Sequence, residues 1–180
     1  IAPEMGPSEI DQILEFAENA FSQEQYQEAG GAYSQAMQLD ETNLKATAGL
    51  ANVLIKLNDL ENAEQVLSGA ADKNDPLISA AIATLETAKQ LDDIGDLDAL
   101  KKAIEKNPDD HQSRFDLSLA LWAIGSQEDA ADQLLYIIAA DRSWQEDGAR
   151  TQLLKFFEMA GPMDPFTVAA RRKLSSILFS

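Results

Sequence analysis

His111 is the only histidine in a chain that has no cysteine. It follows Asn107-Pro108-Asp109-Asp110 at a predicted helix start, where a solvated imidazole needs no catalytic explanation. Nucleophilic catalysis requires an activated nucleophile beside its base. The absence of cysteine removes thiol catalysis, disulfides and thiolate metal sites together. The run Asp92-Asp93-Ile94-Gly95-Asp96-Leu97-Asp98 has the carboxylate density of a calcium loop. It fails the pattern because its glycine comes too early and no glutamate closes it, so it reads as an acidic solvated turn. No glycine-rich loop cradles phosphate, and no histidine pair is available for a metal. With 31 Asp and Glu in 180 residues, chance carboxylate pairs on helix faces are certain and carry no signal. These residues point away from an enzyme and from any bound cofactor.

The informative recurrence is of alanine. Ala29 follows Gln25-Tyr26-Gln27-Glu28, Ala63 follows Asp59-Leu60-Glu61-Asn62, and Ala130 follows Ser126-Gln127-Glu128-Asp129. The first interval is 34 residues and the second, 67, is close to two such intervals. That period resembles the tetratricopeptide (TPR) unit, two antiparallel helices joined by a tight turn. The second helix of a pair crosses the first closely, and a side chain larger than alanine would push them apart. Stacked hairpins of this kind are binding surfaces rather than catalytic pockets.

The apolar spacing supplies the helices that such a stack needs. Residues 1–9, with Pro3, Gly6 and Pro7, read as a linker. Ile10, Ile13, Leu14, Ala17, Ala20 and Phe21 form one helical face, and Tyr26, Ala29, Tyr33 and Ala36 form the next. Leu50, Ala51, Leu54 and Leu57, then Leu60, Ala63 and Leu67, repeat the scheme up to Asn74-Asp75-Pro76. The third unit is degenerate. Its helices run from about Leu77 to Leu91 and from Leu97 to Lys106, and Asp96-Leu97 stands where the crossing alanine should fall, so it is expected to break the regular stack. The fourth unit recovers with Phe115, Leu117, Leu121, Ala130, Leu134 and Ile138. Two helices close the chain. A capping box of Ser143 and Glu146 opens the first and Gly161-Pro162 ends it, and Asp164-Pro165 opens the second. The expected architecture is all-α: four TPR-like hairpins over 10–142, the third degenerate, and a C-terminal helical pair over 143–180 that caps them.

A formal net charge of −17 disfavours nucleic acid and anionic membrane surfaces as partners. No apolar run approaches the ~20 residues that span a bilayer. The charge is uneven: residues 1–140 carry 26 acidic and 8 basic side chains, whereas residues 141–180 carry 5 and 6. The chain starts at Ile1 rather than methionine, so it is expected to be a segment of a longer protein.

In ordinary TPR geometry the first helix of each hairpin lines the concave face. Leu14, Glu18 and Phe21, then Ala48, Asn52 and Ile55, then Phe115, Leu119 and Trp122 are expected there. TPR domains that clamp a peptide's terminal carboxylate use lysine and asparagine on the first inner helix. Leu14 and Glu18 occupy those places, which argues against that mode. Phe115, Leu119 and Trp122 form either an apolar binding strip or a core covered by the terminal helices, the core being the preferred reading. On the last helix, Phe166, Ala170, Leu174, Ile177 and Leu178 share a broad face. Val168 and Phe179 project from the other side beside Arg171, Arg172 and Lys173, a pattern that serves either as a plain cap or as a partner-binding edge.

The tail carries a more specific resemblance. Ser143-Trp144, Ala149-Arg150, Leu153-Leu154, Phe157, Gly161, Asp164-Pro165 and Arg171-Arg172-Lys173-Leu174-Ser175-Ser176-Ile177-Leu178-Phe179 resemble the C-terminal region of bacterial thioredoxin-like co-chaperones, the chaperedoxin or YbbN family. The degenerate third unit, followed by Asn107-Pro108-Asp109-Asp110, is similar too. The resemblance implies a cytoplasmic stress-response chaperone. Such a protein holds unfolded or oxidised clients, protects their thiols through an upstream thioredoxin-like domain and passes them to the chaperonin. It further implies that the last helix is the chaperonin-docking element. The thioredoxin-like domain is not in these residues, so no redox role falls on them. A TPR scaffold that tethers some other complex is the competing reading.

Overall fold

A computed structural model describes residues 8–91 and 94–180. The linker reading for residues 1–7 and the Asp92-Asp93 part of the acidic turn lie outside the described residues. Among those described there are ten helices and no strand: α1 (Glu9–Ser22), α2 (Tyr26–Leu39), α3 (Leu44–Lys56), α4 (Leu60–Ser68), α5 (Pro76–Leu91), α6 (Leu97–Lys106), α7 (His111–Ala123), α8 (Gln127–Ala140), α9 (Gly148–Ala160) and α10 (Pro165–Leu178). The chain divides into two compact units, residues 1–85 and 86–180, and the division falls inside α5, the first helix of the degenerate pair.

In the first unit, small residues set how closely helices approach. Ala29 and Ala63 have no exposed surface, and Ala17, Ala36, Ala46 and Ala51 are equally buried. The buried Tyr33 ring on α2 fills the space left by Gly49 on α3, which locks the second hairpin against the first. Local chemistry places the helix ends. The Ser8 hydroxyl accepts the Asp11 N–H and the Asp11 carboxylate accepts the Ser8 N–H, a reciprocal cap, so at the end of the expected linker Ser8 caps α1 and Glu9 opens it. Asn43 and Asp59 accept the N–H of Ala46 and Asn62 and cap α3 and α4. Glu24 and Asn58 take positive φ in the two hairpin turns.

The second unit replaces the alanine-rich contacts with large apolar side chains. Leu134, Ile137, Ile138, Leu153 and Phe156 are essentially sealed from solvent, and Ala130 again has no exposed surface. The capping box expected at Ser143 and Glu146 is not formed. The Ser143 hydroxyl donates to Asp141, and Gln145, Glu146 and Asp147 hold left-handed φ values of 46°, 57° and 64°, which delays α9 to Gly148. Three successive non-glycine residues in this conformation are costly. The Trp144 ring, packed 5.5 Å from Phe115, anchors the turn. The other expected ends are present: Gly161 closes α9 at φ 98°, and the Asp164 carboxylate accepts the Phe166 N–H at 2.8 Å ahead of Pro165 at the first turn of α10. The Arg142 guanidinium donates to the Ile177 and Leu178 carbonyls, satisfying acceptors that the end of α10 leaves open.

Candidate protein-binding surface

The inner-helix residues of the second unit are occupied by the chain itself. Leu119 is 1% exposed. The Trp122 ring lies parallel to Phe156 of α9, centroids 4.2 Å apart, and 5.4 Å from Phe166 of α10. Leu119 is thus buried, and Phe115 and Trp122 are partly buried against the core formed with the terminal helices. The cause is the placement of α9. Gln152, almost fully buried, donates to the Thr87 hydroxyl at 3.3 Å, and Lys155 pairs with Glu86, so α9 reaches the C-terminal part of α5 as well as α7. The signal available in the sequence was Gln152 itself, an amide set within the apolar stripe Ala149, Leu153 and Phe156.

His111 is likewise not the solvated residue expected. Its ring meets Trp144 edge-on at 6.3 Å, and its Nδ1 is buried without a hydrogen-bond partner. The neighbouring Asp110 caps α7, and the Ser113 N–H and hydroxyl that it accepts hold its carboxyl below the ordinary range. In the first unit, Leu14 is buried and Glu18 forms an ion pair with Lys45 at 2.7 Å. The inner positions there thus present a carboxylate where a carboxylate clamp would need a cation.

The remaining sequence-predicted residues lie on α10, and here an open surface exists. Phe166, Ala170 and Leu174 face the core; Val168, Arg172 and Phe179, at spacings of four and seven, share a stripe about 200° round the helix. Val168 is 39% exposed and Phe179 88%. The basic triplet divides by direction. The Lys173 ammonium bonds to Asp132 of α8 at 2.7 Å, a contact that raises its pKa, and with both side chains about half exposed it stabilises by no more than about 1 kcal/mol. The Arg171 guanidinium lies 5.4 Å over the Phe157 ring of α9. Arg172 has no ion-pair partner among the described residues. Arg171 over Phe157 brings the exposed side of α10 alongside an exposed stripe of α9 that carries Arg150, Leu154 and Glu158. Leu154 is 40% exposed. Arg150 and Leu154 are thus exposed residues on the helix next to α10 that the reading of α10 alone did not single out.

Among the described residues no group of three or more His, Cys, Asp or Glu could hold a metal. No described helix is long and apolar enough to cross a membrane.

Comparison with known proteins places these helices. Tetratricopeptide-repeat family profiles match residues 20–88 and 90–179, the second spanning half of the chain. No curated protein matches. Similar solved structures include a domain of protein VP0806, of unknown function, from Vibrio parahaemolyticus RIMD 2210633, with 20% identity over 93% of this chain and 99% of that one, and a TM-score of 0.44. Another is YrrB, described as a TPR protein with an unusual peptide-binding site, with 20% identity over 89% of this chain and 90% of that one, and a TM-score of 0.42. Matched over both of its halves, the chain belongs to the tetratricopeptide-repeat family, whose members generally act as non-catalytic interaction scaffolds.

Proposed function

We propose that the chain is the protein-binding module of a cytoplasmic thioredoxin-like chaperone that holds unfolded clients and passes them to the chaperonin, docking on the chaperonin through α10. One observation carries the reading: α10 keeps two apolar side chains, Val168 and Phe179, on the side turned away from its packing face, next to arginines. A helix serving only to cap a repeat stack is polar on that side. The packing of Leu119 and Trp122 against the terminal helices favours the C-terminal pair as the contact. The tail motif supplies the identity of the partner, and an upstream thioredoxin-like domain would supply the redox chemistry. Membership of the repeat family favours a second reading, an adaptor that tethers a different protein complex through the same face.

The test measures chaperonin affinity and melting temperature on one variant, Phe179→Ser. Terminal residues contribute little to a fold, whereas an anchoring aromatic in an interface contributes about 2 kcal/mol or more. The expected result is a loss of affinity of about thirtyfold at an unchanged melting temperature. A parent chain that binds no chaperonin leaves the adaptor reading. Collapse of the melting temperature with unchanged affinity per folded molecule makes α10 a structural cap.

A further inference from the structure

The two ends of the chain differ in charge and share exposed apolar surface. On α1, Phe16 is 57% exposed, and Glu9, two turns earlier on the same stripe, is also exposed. The helix also carries Asp11, Glu15 and Glu18 and no basic residue. At the other end, Leu154, Val168 and Phe179 are exposed among Arg150, Arg171 and Arg172, with Glu158 the carboxylate on that stripe of α9. Both surfaces lie on terminal helices of the described repeats, α1 at one end and α9 and α10 at the other. Repeat proteins ordinarily close such faces with polar caps.

We propose that two copies of this chain associate head to tail, the outer face of α1 on one copy packing against the outer face of α9 and α10 on the next. Charge decides both the occupant and the direction. A second copy brings an acidic helix with an exposed aromatic to a surface of arginines and aliphatic side chains. A symmetric pairing of either end with itself would oppose carboxylates to carboxylates or arginines to arginines. The net charge of −17 repels copies at long range. At physiological salt that repulsion is cut beyond about 8 Å, whereas facing charges in contact are screened least. A head-to-tail contact uses a different face of each copy, so association either continues from copy to copy or closes as a ring. It would also mask the α10 surface from any other partner. The proposal does not depend on what that partner is.

Sedimentation velocity on the 180-residue chain, with folding checked by far-UV circular dichroism, tests this. One variant, Phe16→Asp, blocks the first face; another, Arg172→Glu with Phe179→Ser, blocks the second. The parent is expected to gain mass with concentration past the dimer or into a ring, each variant alone to be monomeric, and a mixture of the two to form a dimer and nothing larger. Arg172→Glu alone should weaken association about tenfold or more, because a facing opposite pair becomes a like pair. A parent that stays monomeric into the millimolar range overturns the proposal. So does a variant that self-associates as well as the parent, or a mixture that gives no dimer. Chaperonin binding by the same variants is scored separately, so failure of either reading is visible without the other.

Discussion

Alanine at position 49 would report how closely the second hairpin lies against the first. A Cβ built on Gly49 falls 2.3, 2.4 and 2.7 Å from the Cε1, Cζ and Cδ1 atoms of the Tyr33 ring. Carbon atoms in contact prefer about 3.5–4.0 Å, so the overlap exceeds an ångström at the nearest atom. The ring is 5% exposed and has no solvent-filled space to enter. Overpacking of this kind costs about 1–3 kcal/mol, and a rigid ring met at three atoms belongs at the upper end. Against this, exchanging glycine for alanine inside a helix gains about 1 kcal/mol. The clash wins, and Gly49→Ala should destabilise by about 1–2 kcal/mol. Gly31→Ala is the matched control: it lies inside α2 with no atom within 4 Å of its built Cβ, so only the gain of about 0.5–1 kcal/mol remains. For a unit of about eighty residues each kcal/mol moves the melting temperature by about 4–8 °C, so the two variants should separate by roughly 10 °C in opposite directions. Thermal unfolding followed by far-UV circular dichroism reads this directly. Tyr33→Leu should recover much of the loss in the Gly49→Ala background, giving a coupling of about 1 kcal/mol or more in a double-mutant cycle. A Gly49→Ala variant that melts above the parent, as Gly31→Ala should, would refute close contact between the hairpins.

Ala63→Leu should overpack the crossing point of the second hairpin and cost about 1–3 kcal/mol, read in the same melt; an unchanged melt would place the repeat register elsewhere. Arg142→Ala removes the two donors to the Ile177 and Leu178 carbonyls and should cost about 1 kcal/mol, visible as faster hydrogen exchange in the last turn of α10. Asp110→Ala should cost about 1 kcal/mol at neutral pH through loss of the α7 cap. The Asp110 carboxyl is held below its ordinary value, so its stabilisation is complete above the unfolded pKa near 4 and fades as the pH falls through the lower folded value. The penalty of Asp110→Ala should therefore shrink as the pH falls below about 4 in acid unfolding curves; a constant penalty would mean that the charge plays no part in the cap.

The fold was legible where its determinants are local. The alanines at 29, 63 and 130 are small because helices cross there, and all three are fully buried. Both helices of the degenerate unit were legible from their ends: α6 runs from Leu97 to Lys106 as read, and α5 differs by one residue. What escaped was of two kinds. The turn before α9 depends on three non-glycine residues at positive φ, which no propensity foretells, and Ser143 with Glu146 offered a false local signal in its place. The course of α9 depends on Gln152 meeting Thr87 across 65 residues, a pairing with no periodic signature. The candidate surface was half legible. The spacing of Val168, Arg172 and Phe179 marks one helical stripe, whereas the exposure of Arg150 and Leu154 on α9 follows from how that helix packs, which no spacing foretells.

The stacking of Trp122 on Phe156 has a spectroscopic consequence. Both tryptophans, Trp122 and Trp144, belong to residues 86–180, whereas residues 1–85 carry only Tyr26 and Tyr33 as their ultraviolet fluorophores of note. Tryptophan emission is thus blind to the melting of the first unit, while far-UV circular dichroism counts helices throughout the chain. Recorded on one sample, the gap between the two midpoints reads out how strongly folding on one side of α5 is linked to folding on the other, with no label and no truncation.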